Sequence, residues 1–334
     1  MKKSFLMLGV AAMALASCTN EEVLNVAESR AIGFDAFVGK PTKAEITTGN
    51  LGTFQVYGGY VKTESVETGT NLINVWENAT VTKGETWKAE GDTKYWAAGM
   101  TYRFAAYAPA AVGKPTVNDD NKNLDWTGIK ADAETQNDFI YATDVKTTDD
   151  PLKASPGNIA FTFGHQLAMI KVTFNSEFAD EYKVTISDLK VFGMNSTANF
   201  TGSDRTWSSH SGLINEEAGF SGISSADAKG EAAAVSDNFI VIPQTSVEKT
   251  MTVKFTATVF DKNNTEFASH KFLGTIAPNW TNGLVYNYNV AIKPEGFTGG
   301  GEGEDDIFVI EFGDPTVDTW TEQGVQNGGD ITVQ

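Results

Sequence analysis

The side chains that carry most protein chemistry are scarce here, and their positions decide what the chain can attempt. Its 334 residues include one cysteine, Cys18, and three histidines, His165, His210 and His270. A single thiol forms no intrachain disulfide, and histidines this far apart define no metal-ligand spacing. No GxSxG elbow, Walker-type loop, HExxH or CxxC is present. Asp119-Asp120-Asn121-Lys122-Asn123 opens like a calcium loop, but Leu124 stands where the sixth position needs glycine and Lys130 where the twelfth needs glutamate. A solvated turn is therefore expected, with no metal, no cofactor and no enzymatic activity. His165 falls between two strand-like runs and reads as a structural hydrogen-bonding residue. His210 is expected in a solvated loop and His270 in an exposed strand. Trp76, Trp87, Trp96, Trp126, Trp207, Trp280 and Trp320 suit either sugar stacking or core packing, and packing is expected for most of them.

The chemistry that remains belongs to Cys18. Residues 1–17 read as a secretory signal, with Lys2 and Lys3 ahead of an apolar run over 5–15 that is too short to span a bilayer. Leu15-Ala16-Ser17-Cys18 resembles a lipobox, in which small residues allow signal-peptide cleavage and the thiol accepts lipid through a thioether. Each buried acyl methylene contributes about 0.8 kcal/mol, so a multiply acylated cysteine anchors stably in an outer membrane. Residues 18–30 form an acidic tether carrying Glu21 and Glu22. The whole chain has 43 acidic and 25 basic residues, a net charge of -18, which argues against nucleic acid as a partner.

The elements that must carry any function read as strands. Period-two runs of aromatic and β-branched residues recur along the chain, for example at 53–61, 101–108, 170–174, 250–260 and 284–292, with Gly, Asn, Asp or Pro between them. Helical signal is confined to 129–137 and 226–235, both short and interrupted. The pattern predicts an all-β chain of antiparallel β-sandwiches. Polar, proline-bearing residues 146–158 and the Gly-rich acidic segment 294–306 divide it into sandwiches over 31–157 and 158–293, with an extension over 294–334.

Several segments in order resemble the fimbrillin-like family, the type V pilus subunits and anchors of Bacteroidales. Ala31-Ile32-Gly33-Phe34-Asp35-Ala36-Phe37-Val38 follows the lipobox, and Tyr95-Trp96-Ala97-Ala98-Gly99 precedes Tyr102-Arg103-Phe104-Ala105-Ala106-Tyr107-Ala108-Pro109. Asp138-Phe139-Ile140-Tyr141-Ala142, Phe163-Gly164-His165-Gln166-Leu167, Ile242-Pro243-Gln244-Thr245 and Trp280-Thr281-Asn282-Gly283 continue the match to Tyr286-Asn287-Tyr288. The acidic residues after Cys18 are similar to the surface-export signal of lipoproteins in such bacteria. The resemblance implies two tandem transthyretin-like sandwiches, placement at the outer membrane and cell surface, and adhesion. It also implies head-to-tail assembly with other pilus subunits, in which a protease removes an amino-terminal strand and another subunit's carboxy-terminal strand replaces it. A host or microbial surface ligand is the further partner. The alternative function is a surface glycan-binding lipoprotein that uses exposed aromatics.

The donor candidate is Ile307, Phe308, Val309, Ile310 and Phe312, an apolar segment behind the Gly-rich spacer that is hazardous unless a groove receives it. The alternative is that it forms the last strand of its own domain. Asp314-Pro315 ends the run, and Val317 and Trp320 could anchor a second short strand. The family's processing position aligns with Lys43-Ala44, where lysine replaces arginine, and Arg30-Ala31 is the other candidate.

Overall fold

A computed structural model describes residues 30–39, 46–66, 70–148, 156–223, 227–228, 233–248, 250–297, 307–310 and 312–320. The first half contributes β1 (Phe34–Val38), β2 (Thr53–Lys62), β3 (Ile73–Lys83), β4 (Trp87–Ala89), β5 (Met100–Ala108), β6 (Thr116–Val117), β7 (Leu124–Lys130), β8 (Ile140–Thr148) and β9 (Ile159–His165). The second contributes β10 (Ala168–Ser176), β11 (Lys183–Phe192), β12 (Asn195–Thr201), β13 (Thr206–Leu213), β14 (Asp227–Ala228), β15 (Ala234–Val235), β16 (Phe239–Val241), β17 (Met251–Phe260), β18 (Glu266–Ile276) and β19 (Leu284–Ile292). Two short strands close the series, β20 (Ile307–Ile310) and β21 (Thr316–Thr319). The all-β expectation holds. Among the described residues the only helical pieces are 3-10 turns of three or four residues. The helical candidate at 129–137 begins inside β7, and the described part of 226–235 carries β14 and β15.

The first unit is a closed barrel in the order β1-β4-β3-β2-β5-β8-β9, where facing antiparallel sheets are expected. Closure comes from β1 lying parallel to β9, with Phe34 opposite Ile159 and Val38 opposite Phe163. Alternation explains the ladder. Phe34, Ala36 and Val38 are buried while Asp35 and Phe37 face solvent. Inside, Phe34 packs 5.1 Å from Trp76, and Phe54 sits 5.6 Å from Phe161 and 5.4 Å from Phe163. An alternating strand specifies its buried face but not whether the sheet closes, so a barrel and a sandwich look alike in sequence.

The second unit is a two-sheet sandwich. One sheet runs β15-β10-β19-β21 with β16 also on β10, and the other runs β14-β11-β17-β18-β20. Buried side chains of β10, β11, β17, β18 and β19 form its core. The chain passes from barrel to sandwich between His165 and Ala168, one strand later than the sequence division at 157/158.

A third sheet, β13-β12-β7-β6, joins the halves, because β7 comes from the first and pairs with β12 from the second. The junction core beneath it includes Tyr57, Tyr107, Trp126, Phe139, Tyr141, Phe200 and Ile240. Its existence explains why both faces of 102–108 are buried. Tyr102, Phe104, Ala106 and Ala108 fill the barrel, while Ala105 and Tyr107 from the opposite face fill the junction.

Candidate functional site

The carboxy-terminal segment docks on its own sandwich as two edge strands. β20 lies parallel to β18, with Phe272 opposite Phe308 and Gly274 opposite Ile310. Phe308, Ile310 and Phe312 pack against the sandwich core, whereas Val309 is 80% exposed. The segment therefore buries one face, not the two its composition suggests. Phe308 lies 4.6 Å from His270 and 5.7 Å from Phe272. Phe312 meets Tyr288 edge-on at 6.5 Å and rests on Gly274. A Cβ at Gly274 would stand 2.7 Å from Phe312 Cδ2 and 2.9 Å from Ile310 Cγ1, so the bare backbone there is the socket. At half burial the three side chains contribute roughly 1–2 kcal/mol each.

β21 lies antiparallel to β19, with Thr319 opposite Leu284, and every residue of the strand is exposed. Its anchor is the next residue. Trp320 is 3% exposed, donates its backbone N–H to the Gly283 carbonyl at 3.0 Å, and stacks on His165 with ring centroids 4.6 Å apart and planes within 3°.

His165 belongs to a small polar cluster inside apolar surroundings. Its Nδ1–H donates to Asp138 Oδ2 at 2.8 Å, and that oxygen also accepts the Ile46 backbone N–H at 3.2 Å. His165 Nε2 and Asp138 Oδ1 are buried with no hydrogen-bond partner among the described residues. A His–Asp pair is two thirds of a hydrolytic triad, but this imidazole lies under an indole, and among the described residues no hydroxyl or thiol reaches its free nitrogen. Its effect is positional. One buried pair ties together the chain just after β1 at Ile46, the end of β9 at His165, and the tail through Trp320. Twenty-seven residues separate the partners, so only the fold brings them together.

The amino-terminal candidates divide. Cys18, Lys43 and Ala44 lie outside the described residues. Arg30 and Ala31 are half-buried and tied on both sides. The Arg30 carbonyl accepts from Trp96 at 2.9 Å, Ala31 bridges Tyr95, and Ile32 N–H donates to Lys94 at 2.8 Å.

Other chemistry-bearing residues are built into the scaffold. His210 lies on β13 and not in a loop, donating to the Pro243 carbonyl at 2.8 Å. His270 is packed between Phe297 and Phe308. In the acidic turn, Lys122 turns inward and places its ammonium 2.8 Å from Asp119, so the turn carries its own cation. Each of the seven tryptophans is buried or half-buried, which leaves none as an open sugar platform.

Fold and site together define an all-β module organised around strand edges and terminal segments. The fimbrillin-like family profile matches residues 42–320. The chain belongs to the fimbrillin-like family, which supports a pilus or adhesin role. No curated protein sequence matches it. Among solved structures it is similar to a candidate cell adhesion protein from Bacteroides ovatus, at 15% identity over 89% of this chain and 99% of that one, with TM-score 0.49. It is also similar to one from Parabacteroides distasonis (13% identity, 89% and 98% covered, TM-score 0.47). The fimbrial anchor protein Mfa2 from Porphyromonas gingivalis matches at 12% identity over 87% and 98%, with TM-score 0.36.

Proposed function

We propose that this chain is a lipid-anchored surface component that assembles with other pilus subunits by β-strand complementation and serves adhesion. Acylated Cys18 holds the precursor in the outer membrane, and cleavage at Lys43-Ala44 frees β1. Arg30-Ala31 is the weaker site, because backbone hydrogen bonds hold it against 94–96. Losing β1 would uncover the edge of β9 together with Phe161 and Phe163.

The observation that carries this reading is the match between the leaving strand and the tail. β1 inserts Phe34, Ala36 and Val38 at alternate positions, and the tail presents Phe308, Ile310 and Phe312 with the same period. In cis the tail is seated at a sheet edge with its side chains only half-buried, so a groove that buries them fully outcompetes the resting position. Assembly is then head-to-tail and open, because donor and acceptor lie on different surfaces.

The test is electron microscopy of processed full chain beside a truncation lacking 307–334. Filaments from the full chain and folded monomers from the truncation are expected. Filaments from the truncation would overturn the donor assignment. Intact amino termini at Cys18 in assembled material would remove the cleavage step.

A further inference from the structure

The sandwich also carries a cleft of about 520 Å³ beside an irregularity in β11. The β11–β17 register jumps between Ser187 and Lys190, and Asp188 takes a left-handed backbone with φ of 52°. Bulges of this kind re-aim side chains and gather beside binding sites. On its other side, among the described residues, β11 pairs with β14 only at Val184 and Thr185, and then bridges Phe220 at Val191. The backbone between those points borders the cleft.

Three lysines from three neighbouring strands converge there. Lys190 and Lys254 are direct cross-strand partners, and Lys271 stands opposite Thr256 on the next ladder. Like charges in cross-strand register repel, and nothing in the fold requires lysine at both positions. Glu216 neutralises Lys254 at 2.6 Å, but no carboxylate among the described residues pairs with Lys190. In a chain of net charge -18, the lining holds three lysines against the two carboxylates Asp188 and Glu216, a slight local excess of positive charge. Asp188, Glu216 and Thr256 supply acceptors and a hydroxyl at the same cleft.

We infer that this cleft binds a carboxylated sugar, with the acid group at Lys190 and Lys254 and the ring hydroxyls at Asp188, Glu216 and Thr256. The volume lies within the roughly 300–1,000 Å³ usual for small-ligand sites. A peptide adding as a strand needs a longer open edge than the gap between β14 and Phe220 offers. A neutral sugar would lack a stacking face, since among the described residues the only aromatic in the lining is the buried Phe255. The inference survives failure of the assembly reading, because no tail residue lines the cleft and the acid group is placed on Lys190 and Lys254, although Lys271 at its border pairs with Ile307.

The test titrates the full chain with D-glucuronate, D-glucose and acetate, followed by ligand-observed NMR. Glucuronate is expected to bind, glucose to show no saturable binding, and acetate to bind at least about tenfold more weakly than glucuronate. Lys190→Ala should weaken glucuronate about tenfold at unchanged thermal midpoint, and Lys190→Arg should restore most of it. Glucose binding equal to glucuronate, or no glucuronate binding at all, would overturn the proposal. Acetate equal to glucuronate would reduce the cleft to a bare anion site and overturn the sugar assignment. An unaffected Lys190→Ala variant, at intact fold, would show the sugar bound elsewhere.

Discussion

Gly274→Ala isolates the docking of the tail from the stability of the sandwich. Gly274 lies in β18 opposite Val253, and its backbone is in an ordinary strand conformation, so the strand itself accepts alanine. The added Cβ has no room while the tail is seated, because Phe312 Cδ2 would stand 2.7 Å away and Ile310 Cγ1 2.9 Å away. The tail is the movable party: β20 is an edge strand, while β18 is held by β17 along its whole length. Unseating two half-buried apolar side chains costs about 2–4 kcal/mol, equivalent to a roughly 30- to 700-fold rise in the population with the tail open. Native-state hydrogen exchange reads this directly. Amides of β20 should lose protection by that factor, while those of β10 and β17 keep theirs. If detached tails seek other copies, the variant should also polymerise faster after processing. Unchanged protection in β20 would refute the socket, and loss spread evenly over the sandwich would show that alanine strains the core and does not evict the tail.

Trp320→Ala removes the indole from His165 and should free β21, exposing the Val285 and Asn287 amides on that side of β19 to exchange. A fully buried tryptophan costs about 3–5 kcal/mol on truncation, but local detachment caps the loss nearer 3, so the thermal midpoint should move less than the exchange rates. Alkaline pH offers a separate check. Burial pushes the Tyr141 and Tyr288 hydroxyls up to about 12, against an ordinary 10.0, with the Trp280 N–H at 2.9 Å partly offsetting the shift at Tyr288. The unfolded chain releases these protons first, so stability is complete below pH 10 and falls between about pH 10 and 12, at up to ~1.4 kcal/mol per unit for each tyrosine. Ultraviolet titration should show Tyr141 and Tyr288 ionising together with unfolding, alongside the other buried tyrosines Tyr57, Tyr102 and Tyr107, and early ionisation at constant fold would contradict their burial.

Much of the strand map was legible because period-two alternation is a local property. β1, β10, β17 and β19 each follow runs of aromatic and β-branched residues, and the tail declared itself by apolar side chains behind a Gly-rich spacer. Gly274 had a weak signal of its own, a glycine inside an otherwise regular strand. The His165–Asp138 pair had none, although both residues sit in family-like segments, because nothing local links position 138 to 165. His210 shows a related limit: its Ser-rich surroundings read as loop until β12 supplies a partner for β13.

By itself, then, the sequence determined an all-β chain, its membership of the fimbrillin-like family, and an apolar strand behind a Gly-rich spacer. Each follows from residue type and local order. The tertiary structure alone decided that β1 closes a barrel against β9, that β7 and β12 share a sheet, and that the tail rests in cis with Phe312 on Gly274 and Trp320 on His165. Alternation states which face of a strand must be buried. Which other strand buries it depends on loop closure and on competition among many similar edges, and those are settled only when the whole chain packs.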